Sequence, residues 1–397
     1  MIKNCKLCGK EFNSTQKHKY WCIDCYNKVH KKVICPICGK EFNQKFQNET
    51  CCSKRCAKVL QGNFKNPEIL KKISDTNISK YGCSNPFNNV EIQKKCIKNK
   101  SVITKNHLSK DALIIYNKLK NDGIHTLIEK EKIFDDCTFK SYLPFDFYIP
   151  NGELCAELLI EYDGDHHKKP VKFRKDQSEY KTFIHTQITD WLKDKYCIEN
   201  NLNLIRIPSN GLVNANFDDI YKNSYIISRA HNYDKKLDLF DINDSDLLNY
   251  KEPTFMIYSG ISCTFKCDIE NKSDLCQNIK LVNEKIIHYD IDKCIARYDA
   301  QSISHTISFQ GLEPLDNLKQ LLWFIHYFRK EHDDTIIIWT GYTKDECEDL
   351  VYLIQNKMNW ENIIIKYGRF IPNQQPHYDE VLEIKLASDN QYAERIS

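Results

Sequence analysis

The sequence has no apolar run long enough to cross a bilayer, and its start lacks the charged, apolar and small-residue segments of an export signal. A spanning helix needs about 20 predominantly apolar residues. These absences favour a cytoplasmic protein with no membrane partner. Because the cytosol is reducing, the 19 cysteines are better explained as metal ligands and buried thiols than as a disulfide framework.

Acidic residues are scarce in the first 110 residues, which hold 7 Asp and Glu against 23 Lys and Arg. The local charge is therefore +16, and the overall +3 leaves −13 for the remainder. This asymmetry predicts that the N-terminal region binds a polyanion, for which DNA is the expected partner. A length of 397 residues allows two or three domains.

Two cysteine quartets occupy the first 60 residues, and the segments "CKLCGKEF" and "CPICGKEF" match at six of eight positions. Four thiolates at such spacing suit tetrahedral zinc, whose binding would supply folding energy to short segments. We predict two small structural zinc ribbons, each with four cysteine ligands; ordinary buried cysteines are the alternative. The predicted ligands are Cys5, Cys8, Cys22 and Cys25, then Cys35, Cys38, Cys52 and Cys56, with Cys51 left over.

Residues 61–110 predict short basic helices broken by Tyr-Gly and Asn-Pro turns. The segment "SKYGCSNPF" resembles a small modular repeat found beside phage and mobile-element nucleases. A solvated basic linker is the alternative.

Residues 111–231 show a helix, strand, strand, helix, strand pattern typical of an α/β core. Asp146 lies in the strand "YLPFDFYI", and Glu161 and Asp163 lie two apart in "ELLIEYDG", hence on one face. Acidic side chains in apolar strands are costly unless they meet a metal or a partner. Three converging carboxylates would hold Mg²⁺, which activates water and neutralises charge in phosphodiester hydrolysis.

The following helix places polar side chains, among them Gln187, on a face that returns toward the sheet. The hairpin register is harder to assign. If Asn151 and Gly152 formed a tight turn, Asp146 would pair with Glu157, about 13 Å from Glu161. We therefore expect a longer or bulged connection, or participation of Glu157. A surface acidic strand with a satisfied histidine pair is the alternative.

The segments "FDFYIP", "IEYDGDHH" and "QITDWLKDKYCIENNLNLIRIP" resemble the PD-(D/E)xK nucleases, especially their very-short-patch-repair-like and phage homing branch, over about residues 111–210. The resemblance implies a restriction-endonuclease-like core and Mg²⁺-dependent DNA cleavage. By resemblance Asp146 and Glu161 bind metal and Asp163 supports them. His167 would act as general acid/base or phosphate ligand, and Gln187 completes the candidate catalytic set.

Residues 232–253 are acidic and rich in Asn, which predicts a linker. From residue 254, strands alternate with helices, which favours parallel βα units. Cys263, Cys267 and Cys276 follow the first of these strands. Zinc would need a fourth ligand, such as the distant His288, whereas three thiolates can hold a [4Fe-4S] cluster with one iron open. The pattern favours the cluster.

Four features of residues 254–397, namely the cysteine loop, "SFQGLEP", "WTGYT" and "SDNQ", resemble radical S-adenosylmethionine enzymes, most closely the activating proteins of anaerobic ribonucleotide reductase. The resemblance implies a partial (βα) barrel, a [4Fe-4S] cluster and S-adenosyl-L-methionine. It also implies a partner reductase or another glycyl radical enzyme. The spacing departs from the family, with C-x3-C-x8-C in place of C-x3-C-x2-C, and Leu312 replaces a glycine.

The same resemblance assigns the cofactor pocket. Gly311 and Glu313 would hold the methionine amino group, and Thr340, Gly341 and Tyr342 would line the adenosyl side. Ser388, Asn390 and Gln391 would close the pocket.

The sequence thus predicts a multidomain fusion in which each half works separately. Two alternatives stay open. Only one of the two halves is active, or the chain is a catalytically dead zinc protein that binds DNA. The predicted parts are zinc ribbons at 1–60, a basic module at 61–110, the nuclease domain at 111–231, a linker at 232–253 and the radical S-adenosylmethionine domain at 254–397.

Overall fold

The structure is a computed structural model with two compact units, Met1–Lys94 and Lys95–Ser397. Among the described residues, no helix is both long and apolar enough to cross a membrane. The described residues are 2–6, 8–13, 25, 32–36, 39–43, 50–53, 67–81, 110–121, 128–152, 155–173, 178–209, 225–226, 234–243, 250–265, 278–371 and 373–397.

The first unit contains two short antiparallel hairpins that repeat each other. Strand β1 (Ile2–Asn4) pairs with β2 (Glu11–Asn13), and β3 (Lys32–Ile34) pairs with β4 (Glu41–Asn43). Helix α1 (Pro67–Tyr81) follows in the basic segment. The structural repeat therefore coincides with the sequence repeat.

The second unit contains most of the regular structure. Its described helices are α2 (Lys110–Asn121), α3 (Glu179–Glu199), α4 (Ile291–Ala300), α5 (Leu318–Phe328) and α6 (Glu348–Tyr352). Its described strands are β5 (Glu129–Lys132), β6 (Phe145–Gly152), β7 (Cys155–Asp163), β8 (Asn203–Pro208), β9 (Tyr225–Ile226), β10 (Lys236–Leu239), β11 (Ile242–Asn243), β12 (Phe255–Gly260), β13 (Ile287–Asp290), β14 (Thr306–Gly311), β15 (Thr335–Trp339), β16 (Ile363–Tyr367), β17 (His377–Asp379), β18 (Ile384–Leu386) and β19 (Tyr392–Arg395).

A five-stranded sheet runs in the order β5-β6-β7-β8-β9, with β7 and β8 parallel and the other pairs antiparallel. One face packs against α2, where Ile115 and Leu119 meet Phe147. The opposite face packs against α3, where Leu159 meets Trp191 in the main core. The sheet is therefore covered by a helix on each side.

The β6–β7 pairing settles the register question. Phe147 lies opposite Ile160, and Gly152 lies opposite Cys155. The strands are joined by residues 153–154, which lie outside the described residues, so the connection falls two residues later than Asn151 and Gly152 would place it. Continuing the register by one residue sets Asp146 opposite Glu161.

A six-stranded sheet, ordered β11-β12-β14-β15-β16-β19, forms the centre of the C-terminal region. Strands β12, β14, β15 and β16 are mutually parallel, and α5 links β14 to β15. This agrees with the alternating strands and helices in the sequence.

The segment interpreted as a linker differs from that interpretation where it is described. Residues 236–239 form β10, which pairs with β13, and residues 242–243 form β11, which pairs with β12. The physical reason in β10 is a period-two apolar pattern, since Leu237 and Leu239 are buried on either side of Asp238, and Ile242 is buried in β11. The acidic composition concealed that alternation.

Helix α3 joins the two sheets into one unit. It contacts β8, and it also packs against α5 and α6. The Trp191 ring lies 5.5 Å from the ring of Trp323 and 5.9 Å from that of Trp360. One hydrophobic core therefore spans both regions, which the sequence had suggested would work separately.

Candidate functional site

A cavity of about 750 Å³ lies at the end of the five-stranded sheet. It collects most of the side chains that the sequence singled out for nuclease chemistry. Its lining residues include Asp111, Asp146, Glu161, Tyr162, His166, His167, Phe173, Lys193 and Ser209.

Asp146 and Glu161 meet in this cavity from neighbouring strands. The backbone N–H of Asp146 donates to Glu161 Oε1 at 3.2 Å, and the N–H of Tyr162 donates to Asp146 Oδ2 at 2.8 Å. Each carboxylate is thus held by the backbone of the opposite strand. The two hard oxygen ligands fit Mg²⁺, which commonly binds one or two carboxylates and keeps several waters.

Lys193, which sequence reasoning missed, completes this pair. Its Nζ lies 2.8 Å from both carboxylate oxygens of Glu161. Burial raises the pKa of Glu161 to about 7; the Lys193 charge opposes the rise and Asp146 adds to it. Burial alone would lower the pKa of Lys193, but the charge of Glu161 reverses this and raises it. The available signal was spacing, because Lys193 lies one turn after Asp190 on the polar face of α3.

Asp163 lies beside this pair but is bound by an arginine. Arg206 is fully buried, and its Nη1 lies 2.7 Å from Asp163 Oδ1 and 3.2 Å from Asp190 Oδ1. Its Nε donates to Asp194 Oδ1 at 2.8 Å. The guanidinium neutralises these buried carboxylates and ties β8 to α3, so the described partner of Asp163 is Arg206, and its support of the metal ligands stays a prediction.

His167 lines the cavity and is oriented by α3. Its Nδ1 lies 2.6 Å from Asp190 Oδ2 and 3.7 Å from Asp163 Oδ1. Burial lowers the pKa of His167, but the hydrogen bond and charge of Asp190 outweigh it, so the pKa is raised. Asp163, His167 and Asp190 place ligand atoms within 4.8 Å of one another, although Arg206 already supplies a cation to both carboxylates.

Gln187 lies elsewhere on α3 and is not among the cavity residues. Its Nε2 donates to the backbone oxygen of Leu315, and its Oε1 accepts from the backbone N–H of Leu318, both at 2.9 Å. Both polar atoms are therefore used in the C-terminal region. We do not include Gln187 among the residues proposed for phosphodiester chemistry.

The first cysteine quartet is partly described. The sulfur atoms of Cys5, Cys8 and Cys25 lie within 4.8 Å of one another, while Cys22 lies outside the described residues. Sulfur atoms around tetrahedral zinc with bonds of about 2.3 Å lie about 3.8 Å apart. Gly9 adopts a φ of +73°, and its N–H donates to Cys5 O at 2.9 Å. The three thiols and this turn fit a zinc knuckle.

The second quartet repeats the same turn. Gly39 has a φ of +69°, and its N–H donates to Cys35 O at 2.9 Å. Cys35 and Cys51 are buried and Cys52 is half-buried. Cys38 and Cys56 lie outside the described residues, so the second zinc ligand set stays a prediction.

In the C-terminal region, the carboxyl ends of β12 and β14 approach each other closely. A Cβ on Gly260 would lie 2.6 Å from Glu313 N, and one on Gly311 would lie 2.8 Å from Gly260 N. Gly311 also has a φ of +120°, which disfavours any side chain. Only glycine fits at both positions.

Glu313 lies just beyond this glycine contact and is 2% exposed. Its Oε1 accepts from the Thr340 hydroxyl at 2.7 Å and its Oε2 from Gly341 N at 2.8 Å. Burial raises the pKa of Glu313 to about 8, and Asp316 adds to the rise. The ion pairs among the described residues include none with Glu313. Burial lowers the pKa of Lys366 to about 8 although the charge of Glu313 opposes the fall, and Lys366 Nζ donates to Gly368 O at 2.8 Å. Glu313 therefore has a cation nearby but no direct ion pair with it, which leaves its carboxylate available to an ammonium ligand.

Asp316 anchors the start of the cysteine loop and was not predicted. Its Oδ2 accepts from Thr264 N at 2.7 Å, and the Tyr342 hydroxyl donates to its Oδ1 at 3.0 Å. Cys263 precedes this anchor and is half-buried. Cys267 and Cys276 lie outside the described residues, so their share in a common ligand set stays a prediction.

The remaining predicted pocket residues form a second turn at the end of the six-stranded sheet. Asn390 Nδ2 donates to Arg369 O at 2.8 Å, and Gln391 Nε2 donates to Gly368 O at 3.3 Å. Ser388 N–H donates to Gln391 Oε1 at 3.2 Å. The Arg369 guanidinium lies 4.3 Å from the centre of the Phe265 ring in the cysteine loop. This turn is therefore joined to the loop that carries Cys263.

Residues 255–391 match the family model described as a 4Fe-4S single cluster domain. The match covers β12, Cys263, the Glu313 turn and Gln391, and it supports a 4Fe-4S cluster domain in the C-terminal region. The cavity with Asp146 and Glu161 lies outside the matched residues. Searches of curated proteins and of solved structures returned no match for the chain.

Proposed function

We propose that the chain is a Mg²⁺-dependent DNA endonuclease joined to a radical S-adenosylmethionine domain. The nuclease proposal depends on one observation, the meeting of Asp146, Glu161 and Lys193 in one cavity. Two carboxylates that can hold a metal, with a lysine and a histidine beside them, fit metal-assisted hydrolysis of a phosphodiester. The basic N-terminal region would hold the DNA through its phosphates.

Each side chain has a role in this proposal. Asp146 and Glu161 would hold Mg²⁺, which supplies Lewis acidity and an activated water when bound. Lys193 would orient Glu161 and offset its charge. His167, held by Asp190 and with a raised pKa, would donate a proton or contact the phosphate.

The test is nicking of supercoiled plasmid by the full chain in the presence of Mg²⁺. We expect Asp146→Asn and Glu161→Gln to reduce the rate by about 1,000-fold, because each removes a metal ligand. Glu129→Gln is the matched control, since Glu129 is exposed and pairs with Lys132 on β5. Unchanged nicking in both ligand variants would remove the cavity from the mechanism.

The second function is supported by the 4Fe-4S family match and by the buried Glu313. Cys263, Cys267 and Cys276 would hold the cluster, and Glu313 would bind the methionine ammonium. When bound, the cluster supplies the electron for reductive cleavage of S-adenosylmethionine. Thr340 and Gly341 keep the Glu313 carboxylate in place, and the close glycine contact holds the carboxyl ends of β12 and β14 together beside it. A glycyl radical enzyme such as anaerobic ribonucleotide reductase is the partner we propose.

Anaerobic reconstitution with iron and sulfide tests this function. We expect about four irons and two zincs per chain, with visible cluster absorbance. After addition of S-adenosylmethionine and a chemical reductant such as dithionite, we expect release of 5′-deoxyadenosine. Cys263→Ser should lose the absorbance, whereas Cys294→Ala, which changes a buried thiol in α4, should keep it. A colourless protein that contains zinc alone would contradict the proposal.

A further inference from the structure

Gln187 belongs to the nuclease-like region, yet its side chain ends in the C-terminal region. It is 4% exposed, and its amide bonds the backbone of Leu315 and of Leu318 at 2.9 Å each. Both partners are backbone groups, so the contact fixes the position of that segment regardless of its side chains. A buried amide that satisfies one donor and one acceptor is a specific structural contact.

The bonded segment begins helix α5. The first N–H groups of a helix have no partner within the helix, and a side chain just before the helix usually satisfies one of them. Asn317, the residue before α5, makes no such bond with its side chain. Gln187 therefore provides from α3 a cap that the local sequence does not supply.

The same segment carries two carboxylates of the proposed cofactor site. Glu313 precedes the 3-10 turn Pro314–Asn317, and its Oε1 accepts from Leu315 N at 3.0 Å. Asp316 lies within the turn and accepts from Thr264 N at 2.7 Å in the cysteine loop. Because Leu315 lies within the turn and Leu318 follows it directly, the two bonds of Gln187 hold the turn that carries Asp316 and directly follows Glu313.

Helix α3 contacts this neighbourhood at two further points. The Tyr180 ring lies 5.3 Å from the Phe265 ring of the cysteine loop and 5.7 Å from the Tyr342 ring. Lys319, in the first turn of α5, lies 2.7 Å from Asp194 Oδ2. Gln187 is thus the middle one, in sequence, of three positions on α3 that contact the turn or its neighbours, the others being Tyr180 and Asp194.

We propose that Gln187 is a positioning residue for the C-terminal cofactor site, holding the turn that carries Glu313 and Asp316 from within the nuclease-like region. This inference rests on the proposed function of the C-terminal region. It means that the nuclease-like fold is a structural part of the second site.

The variants for the test are Gln187→Met and Gln187→Glu. Methionine has a similar length and makes neither bond, whereas a buried glutamate, whose pKa burial raises, can make both bonds in its protonated form. Thr186→Ala is the matched control, because the Thr186 hydroxyl bonds Thr182 O within α3. All are made in the full chain.

The first measurement is hydrogen exchange without added iron, so it does not depend on the cofactor. We expect Gln187→Met to accelerate exchange at least 10-fold over residues 312–320 while the β6–β7 region keeps its protection. Gln187→Glu should show a smaller change, and Thr186→Ala none. Unchanged exchange over residues 312–320 in Gln187→Met would overturn the proposal.

The second measurement is the affinity of the reconstituted protein for S-adenosylmethionine. We expect at least 10-fold weaker binding in Gln187→Met, an intermediate loss in Gln187→Glu, and a smaller change of the cluster's electron paramagnetic resonance signal on cofactor addition. Wild-type affinity in Gln187→Met would overturn the positioning role of Gln187 but not the proposed function of the C-terminal region. A wild-type protein that binds no S-adenosylmethionine would overturn the proposed function, and with it the cofactor role of Gln187.

Discussion

At the scale of residues, the cavity lined by Asp146 and Glu161 contains an ion pair that only the folded chain brings together. Glu161 is buried on β7, and Lys193 reaches it from α3, 32 positions later. The sequence indicates Asp146 and Glu161 as candidate metal ligands because carboxylates are unusual within apolar strands. It does not identify Lys193, because a lysine on an amphipathic helix is ordinary until its neighbours are known.

Lys193→Met should lower Mg²⁺-dependent nicking by about 100-fold, within the range that one charged or proton-transferring group contributes. The physical reason is that Glu161 loses the cation that orients both of its oxygens. Lys195→Met is the control, since Lys195 pairs with Glu199 at 2.6 Å within the same helix. Equal rates for the two variants would exclude a role for Lys193.

Arg206→Met should destabilise the protein by about 3–5 kcal/mol, the usual cost of removing one partner from buried charges. Asp163, Asp190 and Asp194 would lose their shared guanidinium. Urea denaturation at pH 7 measures the change. Wild-type stability in this variant would mean that the three carboxylates do not depend on Arg206.

At the scale of elements, strand identity and helix α3 could be predicted, but register and helix partners could not. Period-two and period-3.6 patterns identify β6, β7 and α3 locally. The β6–β7 register depends on where the turn falls, and Asn151 and Gly152 suggested a position two residues too early. The polar face of α3 was expected to return toward the sheet, and Asp190 and Asp194 bond Arg206 of β8, whereas Gln187 bonds the start of α5, 131 positions later.

The stability contributed by the contact between α3 and α6 should depend on pH. His185 Nδ1 lies 2.6 Å from Asp349 Oδ2, and Lys140 Nζ lies 2.6 Å from Oδ1. Burial by itself would raise the pKa of Asp349, but these two hydrogen bonds lower it to about 2. A lowered carboxyl pKa stabilises the fold above the unfolded-state value near 4, and this contribution is lost as pH falls through about 2.

Asp349→Asn should therefore reduce the free energy of unfolding by about 1 kcal/mol at pH 7. The difference from wild type should narrow between pH 4 and pH 2. Guanidinium denaturation of both proteins across that range measures it. A difference that is constant with pH would show that the contribution does not come from the carboxylate charge.

At the scale of the whole molecule, the five-stranded and six-stranded sheets share one large hydrophobic cluster although the sequence shows two patterns. Leu159 and Leu204 of the five-stranded sheet belong to the same hydrophobic cluster as Ile307 and Phe324 of the C-terminal region. The sequence could not reveal this, because each pattern accounts for its own sheet and neither specifies the outer face of α3. A shared core couples the unfolding of both regions.

Calorimetry of the full chain should show a single transition for residues 95–397. We expect Trp191→Ala, which removes a ring between both regions, to lower its midpoint without splitting it. Limited proteolysis at the midpoint should release no stable fragment of residues 111–231. Two resolved transitions for these regions would contradict a shared core.

Zinc removal should affect the N-terminal unit alone. A strong chelator at neutral pH should make residues 1–60 sensitive to protease, because short cysteine-rich segments depend on metal for folding. The calorimetric transition of residues 95–397 should keep its midpoint. Protease resistance of residues 1–60 after zinc loss would show that the knuckle turns at Gly9 and Gly39 fold without metal.

The β6–β7 pairing also limits insertions and deletions between Asp146 and Glu161. Asp146 and Glu161 are 15 positions apart, and they meet only in the observed register. A shift of the pairing by one residue would turn Glu161 toward α2, and a shift by two would move it about 7 Å along the strand. Homologous genes that keep this spacing can retain the carboxylate pair, so the number of codons between the two acidic positions indicates which relatives can still bring both carboxylates together.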